Sequence, residues 1–249
     1  MRAQLGREYC ARKHWVPVED THPEGVMRVR APNPSALTLD GTNSYIVGGW
    51  VVDPGPALPS HVDAIRSAVN GSIEGVVLTH SHADHAEGAD LLGAPVVLPV
   101  DGQEVGPFRA LGTPGHSADS VCLLFGDVCF TGDTVLGTGS VFIAPGEGSL
   151  SAYLASLRRL RELDLSVICP GHGPYVWDPD AKLDEYIAHR LDRERRLVDA
   201  LDAGLRSRDD LLDAAWPEVA PELRPAAALT LAAHLEKLSE EGRLPSDAG

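Results

Sequence analysis

The sequence predicts an α/β protein of layered build, mixed β-sheets covered by helices, with a small, mostly helical appendage at the end of the chain. Three observations carry that reading. Strand-like runs are joined in places by two-residue glycine turns, the mark of hairpins. Elsewhere they alternate with segments whose apolar residues recur at helical spacing, the mark of β-α-β units. Beyond about residue 180 the strand signal stops and helical periodicity continues to the end.

Taken in chain order, Ser44 to Val47 and Trp50 to Asp53 flank Gly48-Gly49 and form a hairpin. Ser60, with Asp63 three residues on, resembles a capping box opening a helix. Val62, Ile65 and Val69 lie on one face of it, and Gly71 closes it. Gly75 to Thr79 and Ala94 to Leu98 read as buried strands. Val121 to Phe125 pairs with Val128 to Thr131 across Gly126-Asp127. Leu154, Leu157, Leu160 and Leu163 mark an amphipathic helix from Leu150, and Ser166 to Cys169 is a further strand. A long helix over about Ala181 to Leu201 leads to helices at Arg208 to Trp216 and Pro225 to Glu241. We divide the chain at 1–201 and 202–249.

With 249 residues, 43% apolar and 23% charged, the composition is that of a globular protein, which excludes disordered, collagen-like and coiled-coil classes. No run approaches the roughly 20 apolar residues of a membrane helix. The opening MRAQLGREYCARKHW lacks the apolar stretch of a signal peptide, so the expectation is a soluble, cytoplasmic protein. The net charge of −15 is a poor footprint for gripping a polyanion by bulk electrostatics. Cys10, Cys122, Cys129 and Cys169 show no C-x-x-C spacing and read as small core residues in a reducing compartment.

The chemistry concentrates in His80-Ser81-His82-Ala83-Asp84-His85, directly after the strand GVVLT. Neutral imidazoles and carboxylates are the ligands that zinc accepts in catalytic sites. Alternating positions of an extended turn aim one way, so His80 and His82 share one ion while Asp84 and His85 reach a neighbouring one. One hexapeptide cannot complete two coordination shells. In the Gly126-Asp127 hairpin, Asp133 falls level with Ser120, just beyond His116, so those two groups meet at one hairpin edge. His172, in PGHG, follows its strand as His80 follows GVVLT, and loops after strands are where such sites are built.

The series H-x-H-x-D-H, TPGHS, TGD and PGHG, spread over about residues 40 to 175, resembles the metallo-β-lactamase fold superfamily. GTNSYIVG, TGDTVLGTGS and the helical tail are similar to its β-lactamase-like protein 2 subgroup. The resemblance implies a four-layer αββα sandwich and a tail resembling a winged helix. It implies two metal ions, zinc with manganese or iron as variants. His80, His82 and His116 then hold the first, Asp84, His85 and His172 the second, and Asp133 bridges. β-Lactamases of the superfamily often place Cys at the Asp133 position, so the Asp here speaks against β-lactam hydrolysis.

The expected activity is hydrolysis of an ester, thioester, lactone or phosphodiester by a hydroxide shared between two metals, with Asp84 orienting the nucleophile and relaying its proton. Two alternatives stand beside it. The subgroup resemblance implies cleavage of single-stranded RNA, against which a tail with five basic and ten acidic residues counts. Some relatives are non-hydrolytic metal-binding or redox proteins, for which no flavin-domain pattern follows. Expected partners are therefore a small-molecule substrate or single-stranded RNA, with no membrane and a homodimer as an option.

Other residues have two readings each. Asp53 either steadies a metal ligand or caps its turn; Asp119 either orients His116 or bonds nearby backbone. His189, Arg193 and Arg196 form either a solvated helix face or a contact for an anionic substrate. His14, His22, His61 and His234 receive no role, and Trp15, Trp50, Trp177 and Trp216 are read as packing residues.

Overall fold

The computed structural model describes residues 21–246. Cys10, His14 and Trp15 lie outside them. Two five-stranded sheets face each other. The first runs in the order β1 (Val26–Arg30), β2 (Asn43–Val47), β3 (Trp50–Val52), β4 (Gly75–Val77) and β5 (Val96–Val97). The second runs β10 (Val167–Pro170), β9 (Val128–Gly132), β8 (Val121–Phe125), β7 (Phe108–Gly112) and β6 (Glu104–Val105). The Gly48-Gly49 turn gives the antiparallel β2–β3 pair, and α1 (Pro59–Ala68) is the crossover that makes β3 and β4 parallel. α3 (Leu150–Arg161) does the same for β9 and β10.

Side chains alternate across each sheet, and this sets the layers. Inward, Tyr45, Val47, Val52 and Val77 meet Phe108, Leu123, Phe130 and Cys169 between the sheets. Outward from the first sheet, Ile46, Val51 and Val76 pack under Val62 and Ile65 of α1. Outward from the second, Cys122, Leu124, Cys129 and Ile168 lie beneath Tyr153 and Leu157 of α3. They also meet Leu183 and Tyr186 of α4 (Pro179–Asp202). The result is the αββα sandwich. Each buried side chain of leucine or phenylalanine size contributes on the order of 1.5–3 kcal/mol. Cys122, Cys129 and Cys169 are core residues as expected.

The C-terminal part packs its own core. Leu211 and Leu212 of α5 (Arg208–Ala215), Trp216, and Leu231 and Leu238 of α6 (Arg224–Glu240) close on Leu197 and Leu201 of α4. No helix among the described residues is long and apolar enough to cross a membrane.

Two expectations need correction, and β1, β6 and β7 lie outside the strands read from the sequence. Ser60 does not cap α1: Leu58 is the N-cap without a side-chain bond, and Pro59 opens the helix by its fixed φ. Ala94 to Leu98 is not a buried strand but a two-residue edge strand, with Val96 38% and Leu98 36% exposed. β7 was not anticipated, because FRALG offers only five residues of imperfect alternation. Its pairing with β8 is supplied by the sheet. The β8–β9 register matches the hairpin arithmetic, with Leu124 opposite Cys129 and Phe125 opposite Val128.

Candidate metal centre and its cavity

All seven expected groups meet at one edge of the sandwich, each just past the end of a strand or in the loop that follows it. His80 and His82 follow β4, and His82 is the N-cap of the short α2 (Ala83–Ala86), which carries Asp84 and His85. His116 lies between β7 and β8, Asp133 follows β9, and His172 follows β10. The ligand atoms of His80, His82 and His116 lie within 4.8 Å of one another, as do those of Asp84, His85 and His172. Asp133 stands between the two groups. Its Oδ2 is 3.6 Å from His116 Nε2, and its Oδ1 is 3.3 Å from Nε2 of both His85 and His172.

Hydrogen bonds at the outer edge of each ring decide which nitrogen faces inward. Asp53 Oδ1 accepts from the Thr79 backbone N–H (2.7 Å), and its Oδ2 accepts from the Thr79 hydroxyl (2.6 Å) and from His85 Nδ1 (2.9 Å). With its proton given to Asp53, Thr79 Oγ1 can only accept from His80 Nδ1–H, at 3.0 Å. The rings of His80 and His85 thus turn Nε2 inward, and it carries the lone pair when the ring is neutral. His116 Nδ1 donates to the Phe142 carbonyl (3.2 Å) and His172 Nδ1 to that of Gly41 (3.4 Å), with the same effect. His80 Nε2 and Asp133 Oδ1 are buried without any hydrogen-bond partner among the described residues. An orphaned acceptor pair inside a ring of inward lone pairs is what a cation site requires.

A third group, Asp53 with His80 and His85, also has its ligand atoms close together. Both Asp53 oxygens already accept protein donors, so Asp53 supports ligands rather than serving as one. This is the first of its two readings. It sits at φ 48°, a conformation in which aspartate is among the tolerated residues. Gly171 is needed for close approach, since a Cβ there would meet His85 Cε1 at 2.5 Å and Asp133 Oδ1 at 2.8 Å.

Electrostatically the centre demands positive charge. Burial pulls His85 and His172 down, but Asp133, together with Asp53 for His85 and Asp84 for His172, outweighs it. His85 is raised well above the ordinary range and His172 to about 9. Burial would raise Asp133, yet the neighbouring His85 and His172 hold it well below the usual carboxylate range. His80 and His116, governed chiefly by burial, are lowered and stay neutral.

The centre forms the floor of a cavity of about 630 Å³. His82, Asp84, His116, Asp133 and His172 line it below. Leu136, Val141 and Phe142 wall one side, and Trp216, Val219, Leu223 and Ala227 of the C-terminal part close it. Trp216 is therefore more than packing. Of the expected α4 face, His189 and Arg193 line the cavity, with Arg193 only 6% exposed, so the face is not a solvated one. Arg196 is instead paired with Asp192 and Glu218.

Asp119 accepts from the Ser81 backbone N–H and the Ser117 hydroxyl and makes no bond to the His116 ring, which corrects the orienting role considered for it. His22 bonds the Tyr175 hydroxyl and His61 the Ser44 hydroxyl. Sequence reasoning passed over Thr79, whose only signal was a buried hydroxyl directly before His80. It also passed over the Phe142 and Gly41 carbonyls, which carry no residue identity.

A model described as the Metallo-beta-lactamase superfamily matches residues 95–172, and one described as the Beta-lactamase associated winged helix domain matches residues 207–249. A beta-lactamase-like protein 2 homolog from Caenorhabditis elegans is 32% identical over 224 residues, covering 76% of this chain and 74% of that protein. An atrochrysone carboxyl ACP thioesterase from Aspergillus novofumigatus is 35% identical over 213 residues, covering 74% of this chain and 65% of that protein. Among solved structures, a metallo-beta-lactamase family protein from Thermus thermophilus shares the fold, with a TM-score of 0.73 at 22% identity over 88% of this chain and 94% of that one.

Proposed function

Since the chain belongs to the metallo-beta-lactamase superfamily, we propose that it is a dinuclear metal-dependent hydrolase acting on an ester or thioester of an apolar acid. The observation that carries this reading is the position of Asp133, one oxygen toward each histidine group, on the floor of a largely apolar cavity. His80, His82 and His116 would hold one cation, Asp84, His85 and His172 the other, with Asp133 shared; zinc suits this donor set. Cations bound there would acidify a water and polarise a scissile carbonyl.

The chain's own groups supply the rest. Asp84 is kept ionised: burial would raise it, but the His172 bond and the His85 charge lower it. Its Oδ2 is fixed 3.2 Å from His172 Nε2, and its carboxylate lines the cavity. Oδ1 is then the oxygen to take the proton of the attacking water and pass it to the leaving group. Leu136, Val141, Phe142 and Trp216 exclude bulk water and seat the acyl part. A relative named as an ACP thioesterase supports a thioester, as does the apolar lining. Single-stranded RNA is the alternative; Arg193 and Arg196, its expected contacts, are both tied to Glu218.

The test joins metal analysis to a panel of acyl thioester, lactone, bis(p-nitrophenyl) phosphate and single-stranded RNA, with His82→Ala and Asp133→Ala alongside. Two metals per chain and thioester turnover lost in both variants are expected. Cleavage of RNA alone, falling steeply with salt, would transfer the proposal to the alternative. Activity surviving loss of metal would end the dinuclear assignment.

A further inference from the structure

On α4, His189 and Arg193 stand one turn apart and both line the cavity. The buried Arg193 guanidinium is divided among three acceptors. Nη1 donates to the Ala215 carbonyl, Nη2 to Glu218 Oε1, and Nε to His189 Nε2 at 3.2 Å. Arginine has no acceptor, so His189 Nε2 must be the lone-pair nitrogen and its neutral ring carries the proton on Nδ1. Burial, followed by the charges of Arg190 and Arg193, pulls His189 to about 4, which keeps the ring neutral at pH 7. Nδ1 has no hydrogen-bond partner among the described residues. Trp216, Val219 and Leu223 line the same cavity, and of its other charged residues Glu218 is taken up by Arg193 and Arg196, and Arg190 by the Val141 carbonyl. An oriented donor among apolar side chains is how ligand cavities fix a single polar group of a bound molecule. A donor left unmatched on ligand closure costs binding, so a matching acceptor is favoured.

The geometry points to His189 as a specificity-determining residue: its Nδ1–H, oriented through Glu218 and Arg193, receives an acceptor oxygen carried by the substrate's apolar body, away from the bond that is hydrolysed. The C-terminal part, which supplies Glu218 and the Ala215 carbonyl, thereby helps select substrate. The inference rests on the hydrolase reading, because it concerns what that substrate carries.

The test uses the metal-loaded full chain and a series of acyl thioesters bearing an oxo group at successive positions, each paired with the unsubstituted acyl thioester of the same length. At the matching position the oxo compound should have a KM about five- to tenfold lower, the worth of one net hydrogen bond. In His189→Leu that ratio should fall to about one. In His189→Gln, whose amide still donates, part of it should return. A ring that merely buttresses Arg193 would raise both KM values alike and leave the ratio in place, and that result overturns the inference. So does a parent protein indifferent to the oxo group at every position. Calorimetric binding of the free oxo acids and their unsubstituted counterparts reads the same ratio without turnover. Absence of hydrolysis with the ratio intact would therefore count against the hydrolase reading alone.

Discussion

Asp53→Asn offers the sharpest test of how the metal centre is held. The backbone at Asp53 has φ 48°, a region asparagine enters as readily as aspartate, so the substitution leaves the turn unstrained and changes only the acceptor set. Asp53 accepts from three donors: the Thr79 amide, the Thr79 hydroxyl and His85 Nδ1. An amide has one acceptor oxygen. If that oxygen keeps the Thr79 hydroxyl and His85, the new NH₂ faces the Thr79 N–H; in the flipped orientation it faces the other two donors. Either way at least one buried donor loses its partner, costing about 1–3 kcal/mol. In the flipped orientation His85 is freed to move its proton to Nε2, and Thr79 no longer fixes the His80 ring. Loss of such an outer partner lowers metal affinity about 10- to 100-fold. Competition with a chromophoric zinc chelator measures this directly, and thermal melting in excess EDTA separates the folding cost from the metal term. Zinc affinity within about twofold of the parent would refute the claim that Asp53 sets the ligand tautomers.

Three further expectations follow from the same coordinates. Gly171→Ala forces a methyl against His85 Cε1 and Asp133 Oδ1, so zinc affinity should fall at least about tenfold while the β10 segment stays folded; equal affinity by the same competition would show that the loop yields freely. Among the described residues, His234 is buried with neither ring nitrogen hydrogen-bonded, and burial, then the charges of Arg190 and Lys237, lower it to about 3. Below pH 6.5 the unfolded chain takes up this proton and the folded one does not, so stability falls as pH falls toward 3. The loss is about 1.4 kcal/mol per unit, or about 2 kcal/mol by pH 5. His234→Leu should remove that part of the slope in melts at pH 7 and pH 5, and parallel slopes would contradict it. Deleting residues 202–249 removes Trp216, Leu223 and Ala227 from the cavity wall while sparing the seven inward-facing groups. Metal content should stay and KM should rise; metal loss would mean that the module holds the centre together.

Much of this protein was legible because its chemistry is local in sequence even where it is distant in space. The H-x-H-x-D-H run, the hairpin turn at Gly126-Asp127 and the strand before His172 each announced which edge their residues would occupy. A two-residue turn fixes register, and register carried Asp133 to His116. The same local logic failed at Ser60, where the proline at position 59 governs the helix start; at Asp119 the second of its two readings holds, with backbone amide and hydroxyl donors absorbing the carboxylate.

What the sequence determined by itself is the set of candidate ligand types and the layers, since periodicity and turn chemistry act within a few residues. Tertiary structure alone decided which nitrogen of His80, His85, His116 and His172 faces inward. It also decided that Asp53 is a support, that Glu218 steadies His189 through Arg193, and that Trp216 and Leu223 roof the cavity. Each of these depends on hydrogen-bond partners or packing faces from separate elements, several of them backbone carbonyls. Such partners leave no trace in residue identity and exist only once the elements have packed.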